Sequence, residues 1–235
     1  MLCMNDCQLD CAVEDKLYRE LSQLTKDKTI WREKIPYIGS LITDHSPKII
    51  AKAMWLLGEM GLLYPKEVEI YVNEIAKFIV SENDLLRERA TNALGRIGRA
   101  DYKLVMPYMD NLLFLSKDSS PNVRLSFIWA SENIATNTPA VFEKHLPVFE
   151  KLLNDENERV RMEAPEMFRV IGKRKPEFVQ PYLTKLEYIA TQDCNRVVRI
   201  HANGAIKAAL QKANQATQNS GKVIFCRGLQ NEMFN

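Results

Sequence analysis

The stretch from Ser119 to Asn154 reads SSPNVRLSFIWASENIATNTPAVFEKHLPVFEKLLN and follows directly on Asp118. It contains a turn, a segment with helical spacing of apolar residues, a break at 136–139, and a second segment with helical spacing. The next stretch, which starts at Asp155, reads DENERVRMEAPEMFRVIGKRKPEFVQPYLTKLEYIAT and has the same layout. Two consecutive copies of one layout form an internal repeat, which predicts stacked supersecondary units.

An apolar residue followed by arginine measures the period of this repeat. The pair occurs at Val123-Arg124, Val160-Arg161 and Val198-Arg199, and Leu86-Arg87 and Ile49-Ile50 hold the same place earlier in the chain. The successive spacings are 37, 37, 37 and 38 residues. Such a period is typical of repeat proteins, in which each unit buries its apolar face against its neighbours.

Each half of a unit predicts one amphipathic helix, because its apolar residues recur at i, i+4, i+7 and i+11. The first helix of the quoted unit has Val123, Phe127, Ala130 and Ile134 at these positions, and the second has Phe142, Leu146, Phe149 and Leu153. No run of strict alternation predicts a strand.

Small residues and prolines punctuate the units. A small residue eleven positions after the arginine position is expected where the first helix ends, and it is Gly61, Gly98, Ala135 or Gly172. A proline fifteen positions after it suits the first turn of the second helix, and it is Pro65, Pro139 or Pro176, with Tyr102 as the exception.

These features resemble the HEAT-repeat family. The resemblance rests on the Asp-x4-[Val/Leu]-Arg-x2-Ala pattern, the small residue and the proline, and Pro165 fits the kink that is common in the first helices of HEAT repeats. It implies an all-α fold, a right-handed α-solenoid of about five HEAT-like helix pairs plus a terminal helix. The resemblance leaves the function open, because HEAT arrays serve as scaffolds, transport receptors, adaptor subunits and, rarely, enzymes.

The period also predicts the organisation of the chain. We expect a flexible N-terminal arm at 1–11, a HEAT-repeat solenoid at 12–210 and a C-terminal tail at 211–235. The predicted units lie near 12–43, 44–80, 81–117, 118–154 and 155–192, followed by a final helix at 193–212. Cys3, Cys7 and Cys11 would share one helical face, but a structural zinc site needs a fourth ligand, so we predict neither a metal nor a cofactor.

Several classes of protein are not expected. No apolar run approaches the 18 residues of a membrane span, and the N-terminus is too acidic for a signal peptide, so a cytoplasmic location is expected. The three histidines fall in different repeats, and no phosphate-loop, dinucleotide, HExxH or GxSxG motif occurs. We therefore expect a protein that is not an enzyme.

The second helices carry the predicted binding surface, which lies on the concave side of HEAT-like arrays. One exposed column, read at the repeat period, contains Lys34, Tyr71, Tyr108, His145 and Tyr182, and neighbouring columns add Lys185 and Tyr188. Tyrosines flanked by lysines are typical of protein interfaces. The alternative is that each tyrosine only shields the seam between two adjacent second helices, with its hydroxyl in water.

Two sets of basic residues have both a functional and a structural interpretation. The column Arg87, Arg124, Arg161 and Arg199 could bind phosphates, but pairing with the repeat-start residues Asp118, Asp155 and Asp193 is the favoured interpretation, and those aspartates also lie where N-caps are wanted. A second set could form a basic edge that meets phosphates or an acidic partner, although solvated turns explain it more simply. It comprises Arg96, Arg99, Arg169, Lys173, Arg174 and Lys175.

The expected function is a non-enzymatic scaffold or adaptor that binds a protein or peptide on the concave face of the second helices. The alternative is a nucleic-acid-binding protein that resembles the HEAT-like glycosylases of alkylated bases. In that case Asp110 would serve as the acid, yet tyrosine and histidine stand where those enzymes have tryptophans. A lyase-like or chaperone role, known for some bacterial HEAT-like proteins, would rest on fold analogy alone.

Overall fold

The fold is all-α, as the sequence predicts. The computed structural model describes residues 6–43 and 45–210, with their side chains from residue 12 onward. These residues form α-helices and short 3-10 helices, and no strand occurs among them. Within the same ranges, no helix is both long and apolar enough to cross a membrane. The helices follow each other as a helical-repeat solenoid.

The first of two compact units extends from Met1 to Thr138. Its α-helices are α1 (Asp6–Gln23), α2 (Trp31–Ser40), α3 (Pro47–Gly61), α4 (Pro65–Lys77), α5 (Asp84–Ala100), α6 (Met109–Phe114) and α7 (Pro121–Asn137). Short 3-10 helices lie at Phe78–Val80, Tyr102–Leu104, Met106–Tyr108 and Leu115–Lys117. Helix α1 begins inside the predicted arm, and residues 1–5 lie outside the described part of the chain.

The second compact unit begins at Pro139 and is described to residue 210. It contains α8 (Leu146–Leu152), α9 (Glu158–Gly172), α10 (Pro176–Val179), α11 (Leu183–Gln192) and α12 at residues 196–210, with 3-10 helices at Pro139–His145 and Gln180–Tyr182. The predicted tail at 211–235 lies outside the described residues. Pro165 stands inside α9, which continues to Gly172.

Proline places the second helices as predicted. Pro65 and Pro176 are the first residues of α4 and α10, and Pro139 is the first residue of a 3-10 helix. Where Tyr102 replaces proline, two 3-10 turns precede α6.

The predicted small residues end the first helix in two of the four repeats. Gly61 and Gly172 end α3 and α9, but α5 continues past Gly98 to Ala100 and α7 continues past Ala135 to Asn137, so the prediction is wrong at those two positions. The cause is packing, because a Cβ on Gly98 would lie 2.5 Å from Cγ2 of Val105. The small side chain allows the first helix to approach its neighbours, whether or not the helix ends at that point.

The core of the first unit is a layer in which α3, α5 and α7 pack side by side. The helix backbones approach closely, since a Cβ on Gly95 would lie 2.4 Å from Cα of Ala130. A buried polar bond crosses the same layer, where Nδ2 of Asn92 donates to Oγ of Ser126 at 3.0 Å. Small residues therefore allow the close approach of α5 and α7, and the buried polar groups of Asn92 and Ser126 are satisfied within this layer.

The arginine column holds the turns of the repeats. Nε and Nη2 of Arg87 each donate to the carboxylate of Asp118 at 2.8 Å, while its Nη1 donates to the carbonyl of Ser81 at 2.8 Å. The same guanidinium thus fixes the turn before its own helix and the turn before the next first helix. Arg161 repeats this arrangement, with Nε 3.4 Å from Asp193. The structural interpretation of the column is confirmed for Arg87 and Arg161. Arg124 and Arg199 donate to the backbone carbonyls of Asp118 and Asp193.

The aspartates at the start of the repeats are not N-caps, which corrects the prediction. Asn157 is the N-cap of α9, and its side chain accepts the backbone N–H groups of Arg159 and Val160. Asp155 lies two residues earlier and accepts the N–H of Asn157 at 2.8 Å. Each aspartate therefore closes a local turn. The carboxylate of Asp118 also forms the ion pair with Arg87.

Replacing Gly95 by alanine tests the packing layer. The added Cβ meets the backbone of Ala130, so we expect a loss of about 1–3 kcal/mol in the free energy of unfolding, measured by urea titration. The matched control is Gly204→Ala in α12, where the Cβ would have an ordinary contact of 3.4 Å. That control should instead gain about 0.5 kcal/mol from the helix propensity of alanine. Equal effects of the two substitutions would contradict the packing argument.

Replacing Asp118 by asparagine tests the ion pair. Burial acts to raise the pKa of Asp118, but hydrogen bonds from Arg87 and from the N–H of Ser120 outweigh it and lower the pKa. Because the folded-state pKa is lowered, the ion pair contributes fully above the unfolded pKa, and its contribution is lost as the pH falls through the folded pKa. We expect Asp118→Asn to cost about 3 kcal/mol at pH 7.

As the pH is lowered below about 4, the free energy of unfolding should fall less in Asp118→Asn than in wild type. Urea unfolding at a series of pH values measures this difference. Glu69→Gln removes an exposed carboxylate of the first unit and serves as the control, with no comparable effect at either pH. A variant with the pH profile of wild type would show that this pair does not stabilise the fold.

Candidate functional site

Three predicted tyrosines lie in seams between helices. The ring of Tyr71 on α4 lies against Gly39 of α2, where a Cβ would come within 2.1 Å of the ring. The hydroxyl of Tyr108 donates to Oδ1 of Asn73 on α4 at 3.2 Å. The ring of Tyr182 lies 5.2 Å from that of Phe168. Tyr71 and Tyr108 contact an adjacent second helix, as the seam alternative expects, although the hydroxyl of Tyr108 is hydrogen-bonded. Tyr182 packs instead on the first helix α9. The role of all three in binding a partner stays a prediction.

The electrostatic surroundings of Tyr182 follow from this packing. Burial raises the pKa of its hydroxyl, and the negative charge of Glu150 raises the pKa further. Tyr182 therefore stays a neutral phenol over the whole physiological pH range.

Among the other predicted binding residues, Tyr188 is exposed, and Lys34, His145 and Lys185 are half-buried like the three tyrosines above. Nζ of Lys34 lies 5.8 Å from the ring centroid of Tyr37, and Nζ of Lys185 lies 5.6 Å from that of Tyr188. Tyr188 is 61% exposed, and His145 is half-buried. Lys34, Tyr71 and Tyr108 belong to the first compact unit, and the other predicted residues belong to the second.

The predicted basic edge consists of two groups, one in each unit. In the first unit, Nε of Arg96 lies 2.6 Å from Oε1 of Glu59, and Nη1 of Arg99 donates to Asn133 at 3.5 Å. In the second unit, Arg169 pairs with Glu166, and Nζ of Lys175 lies 3.5 Å from Glu177. Lys173 and Arg174 are exposed in the turn after α9. Most of these cations are therefore held by groups of their own unit.

A groove opens in the first unit between the C-terminal turns of two successive second helices. It has a volume of about 470 Å³, and its floor contains the ion pair of Arg87 and Asp118. Val80 and Phe114 stand in its walls and are 73% and 72% exposed. The remaining lining residues are Ile79, Asp110, Asn111 and Leu115. We call it the Phe114 groove.

An equivalent groove lies in the second unit, two periods later in sequence. Arg161 and Asp193 take the places of Arg87 and Asp118, and Tyr188 stands where Phe114 stands in the first groove. We call it the Tyr188 groove. It is more polar, because Asn154 replaces Val80. The recurrence means that the repeat itself builds this groove.

The charge of the Phe114 groove is unbalanced. The bidentate pair of Arg87 and Asp118 is nearly buried and neutral as a whole. Asp110 is exposed at the rim and has no ion pair within the described residues. The groove therefore combines an apolar wall with one free negative charge.

The predicted site includes Tyr188 but not Phe114 or Val80. A signal for Phe114 exists, because it lies 74 residues before Tyr188, two periods away. The exposure of Val80 has no such signal, since valine at the end of a second helix is equally compatible with the core.

The family comparison identifies the kind of repeat protein. The family model described as sister chromatid cohesion protein PDS5 protein matches residues 6–202, most of the chain. The chain therefore belongs to this family, whose helical repeats agree with the HEAT-like pattern. No curated protein matches the sequence.

Solved structures share the fold at low sequence identity. Two of them are engineered proteins, each 17% identical to this chain. The first aligns with a TM-score of 0.61 over 82% of this chain and 88% of its own chain. The second aligns with a TM-score of 0.62 over 88% of this chain and 55% of its own chain. A third is the complex of CpcE and CpcF of phycocyanin lyase from Nostoc sp. PCC7120, 20% identical, with a TM-score of 0.56 over 74% of this chain and 98% of that one. At these identities the similarity concerns the fold alone.

Proposed function

We propose that this protein is a non-enzymatic interaction module that binds an extended segment of a protein partner in the Phe114 groove. The observation that carries the proposal is the recurrence of the groove at one position of the repeat, each time with an exposed aromatic residue beside an arginine-aspartate pair. A large exposed aromatic ring next to a concave site is typical of protein-binding surfaces.

The chemistry of the groove defines the segment that it would take. An apolar side chain of the partner would cover Phe114 and Val80 and remove both from water. A lysine or arginine next to it would meet Asp110, whose charge has no partner in the described residues. We therefore propose a short partner motif in which an apolar residue adjoins a basic one.

Two further observations support a protein partner over a nucleic acid. The solved structure of CpcE and CpcF, which shares this fold, is itself a complex of two proteins. In the predicted basic edge, Arg96, Arg169 and Lys175 each have a carboxylate of their own unit as a partner. A nucleic-acid site would need such cations to be available for phosphates.

Selection of random twelve-residue peptides on the immobilised protein tests this proposal. We expect enriched peptides to contain an apolar residue beside lysine or arginine, and to lose at least about tenfold in affinity on Phe114→Ala, measured by fluorescence polarisation. Ile70→Ala is the matched control, because Ile70 is also 72% exposed but lies outside the groove. Phe114→Ala should leave the unfolding midpoint nearly unchanged, since exposed side chains contribute little to stability.

Asp110→Asn tests the charge at the rim with the same peptides. It should weaken binding by about two- to fivefold and flatten the salt dependence of the affinity, because a rim charge acts mainly on association. Peptides that bind Phe114→Ala as well as wild type, or that depend on Ile70 instead, would refute the groove as the binding site. Enrichment of acidic peptides would refute the proposed charge complementarity.

A further inference from the structure

A second cleft of the first unit is built from first helices rather than second helices. It has a volume of about 220 Å³ and lies where α1, α3 and α5 meet. Its walls are formed by Tyr18, Lys48, Lys52, Trp55, Leu85 and Arg89. We call it the Lys52 cleft. It brings three cations and two aromatic rings together, and the proposed peptide-binding function does not use it.

Lys52 is the residue that needs an explanation. It is half-buried, and its Nζ lies 4.7 Å from the ring centroid of Trp55 and 5.7 Å from that of Tyr18. Among the residues that the structure describes, no carboxylate forms an ion pair with it. The charged group that acts on it is the guanidinium of Arg89, which has the same sign.

The other two cations of the cleft each have a carboxylate. Nζ of Lys48 lies 2.8 Å from Oδ1 of Asp15 and 3.7 Å from Oε1 of Glu14, and the same ammonium lies over Tyr18. Nη1 of Arg89 lies 3.4 Å from Oε1 of Glu88. Lys48 and Lys52 thus share one helix and one aromatic neighbour but differ in whether their charge is balanced.

The unbalanced charge has a cost that a ligand could offset. Burial lowers the pKa of Lys52, and the positive charge of Arg89 lowers it further. Both effects make the charged ammonium less favourable than it is in water, although the rings of Trp55 and Tyr18 attract it. An anion placed between Lys52 and Arg89 would favour the charged form and remove the repulsion between the two cations.

We propose that the Lys52 cleft binds a phosphate oxyanion, with Lys52 and Arg89 as its two cationic ligands. A phosphate offers several acceptor oxygens, so it can receive the compact ammonium and the planar guanidinium together. The cleft is smaller than sites for drug-sized ligands, so the ligand is free phosphate or a small phosphomonoester whose carbon part contacts Trp55.

Calorimetric titration at low salt with inorganic phosphate, phenyl phosphate and phenol tests this site. We expect both phosphates to bind, phenyl phosphate more tightly, and phenol not to bind. Lys52→Gln should weaken phosphate binding by about ten- to a hundredfold, because one charge-assisted bond is lost. Lys52→Arg should retain most of the affinity, and the control Lys66→Gln, at an exposed lysine of α4 outside the cleft, should change it less than about threefold.

Tryptophan fluorescence reports on the same site without calorimetry. Binding of phenyl phosphate should change the emission of wild type, and Trp55→Phe should abolish that change. Circular dichroism and the unfolding midpoint verify that each variant is folded.

The site is overturned if neither phosphate binds at millimolar concentration, or if Lys52→Gln binds them as well as wild type. Equal losses in Lys66→Gln and Lys52→Gln would also overturn it, because the effect would then reflect the general charge of the surface. Phenol binding as tight as that of phenyl phosphate would overturn the role of the oxyanion. Equal affinity for the two phosphates would assign the site to free phosphate and remove the contact of a carbon part with Trp55.

Discussion

A bidentate ion pair between successive repeats is the interaction on which the first unit depends most. Arg87 donates two bonds to Asp118 and further bonds to the turn before its own helix, so one side chain defines two turns at once. Lysine could not replace it, because a single ammonium cannot reproduce the planar fork. The pair is nearly buried and forms the floor of the Phe114 groove, so the interaction that fixes the repeat also shapes the surface proposed for binding.

The two proposed sites use charge in opposite ways although they share α5. The side chain of Arg87 lies in the Phe114 groove, where Asp118 neutralises its charge. Among the described residues of this groove, the carboxylate without an ion pair is that of Asp110. Arg89 contributes to the Lys52 cleft, where the free charge is an ammonium. One helix therefore separates a region suited to a basic peptide from a region suited to an anion, and neither ligand would compete for the other site.

Sequence reasoning could predict whatever the period controls. The helix pairs, the prolines that begin second helices and the partners of the arginines all recur every 37 residues, so each repeat supports the interpretation of the others. The prediction was wrong where contacts in the folded chain determine the residue. Gly98 is small because Val105 lies against it. Asn157 is the N-cap of α9, and Asp155 accepts the backbone N–H of Asn157 instead of capping the helix. The exposure of Val80 and the unbalanced charge of Lys52 depend on neighbours distant in sequence, which no local pattern encodes.

The close approach of α5 and α7 at Gly95 and Ala130 also limits how this chain can change in length. Inserting one residue in α5 before Gly95 would turn the rest of the helix by about 100° and bring a larger side chain against Ala130. The second half of a repeat tolerates more variation in its backbone, since 3-10 turns replace the start of the second helix after Tyr102. Insertions and deletions should therefore accumulate in the second helices of related chains and be rare in the first, so that binding surfaces diversify while the layer beneath them keeps its register.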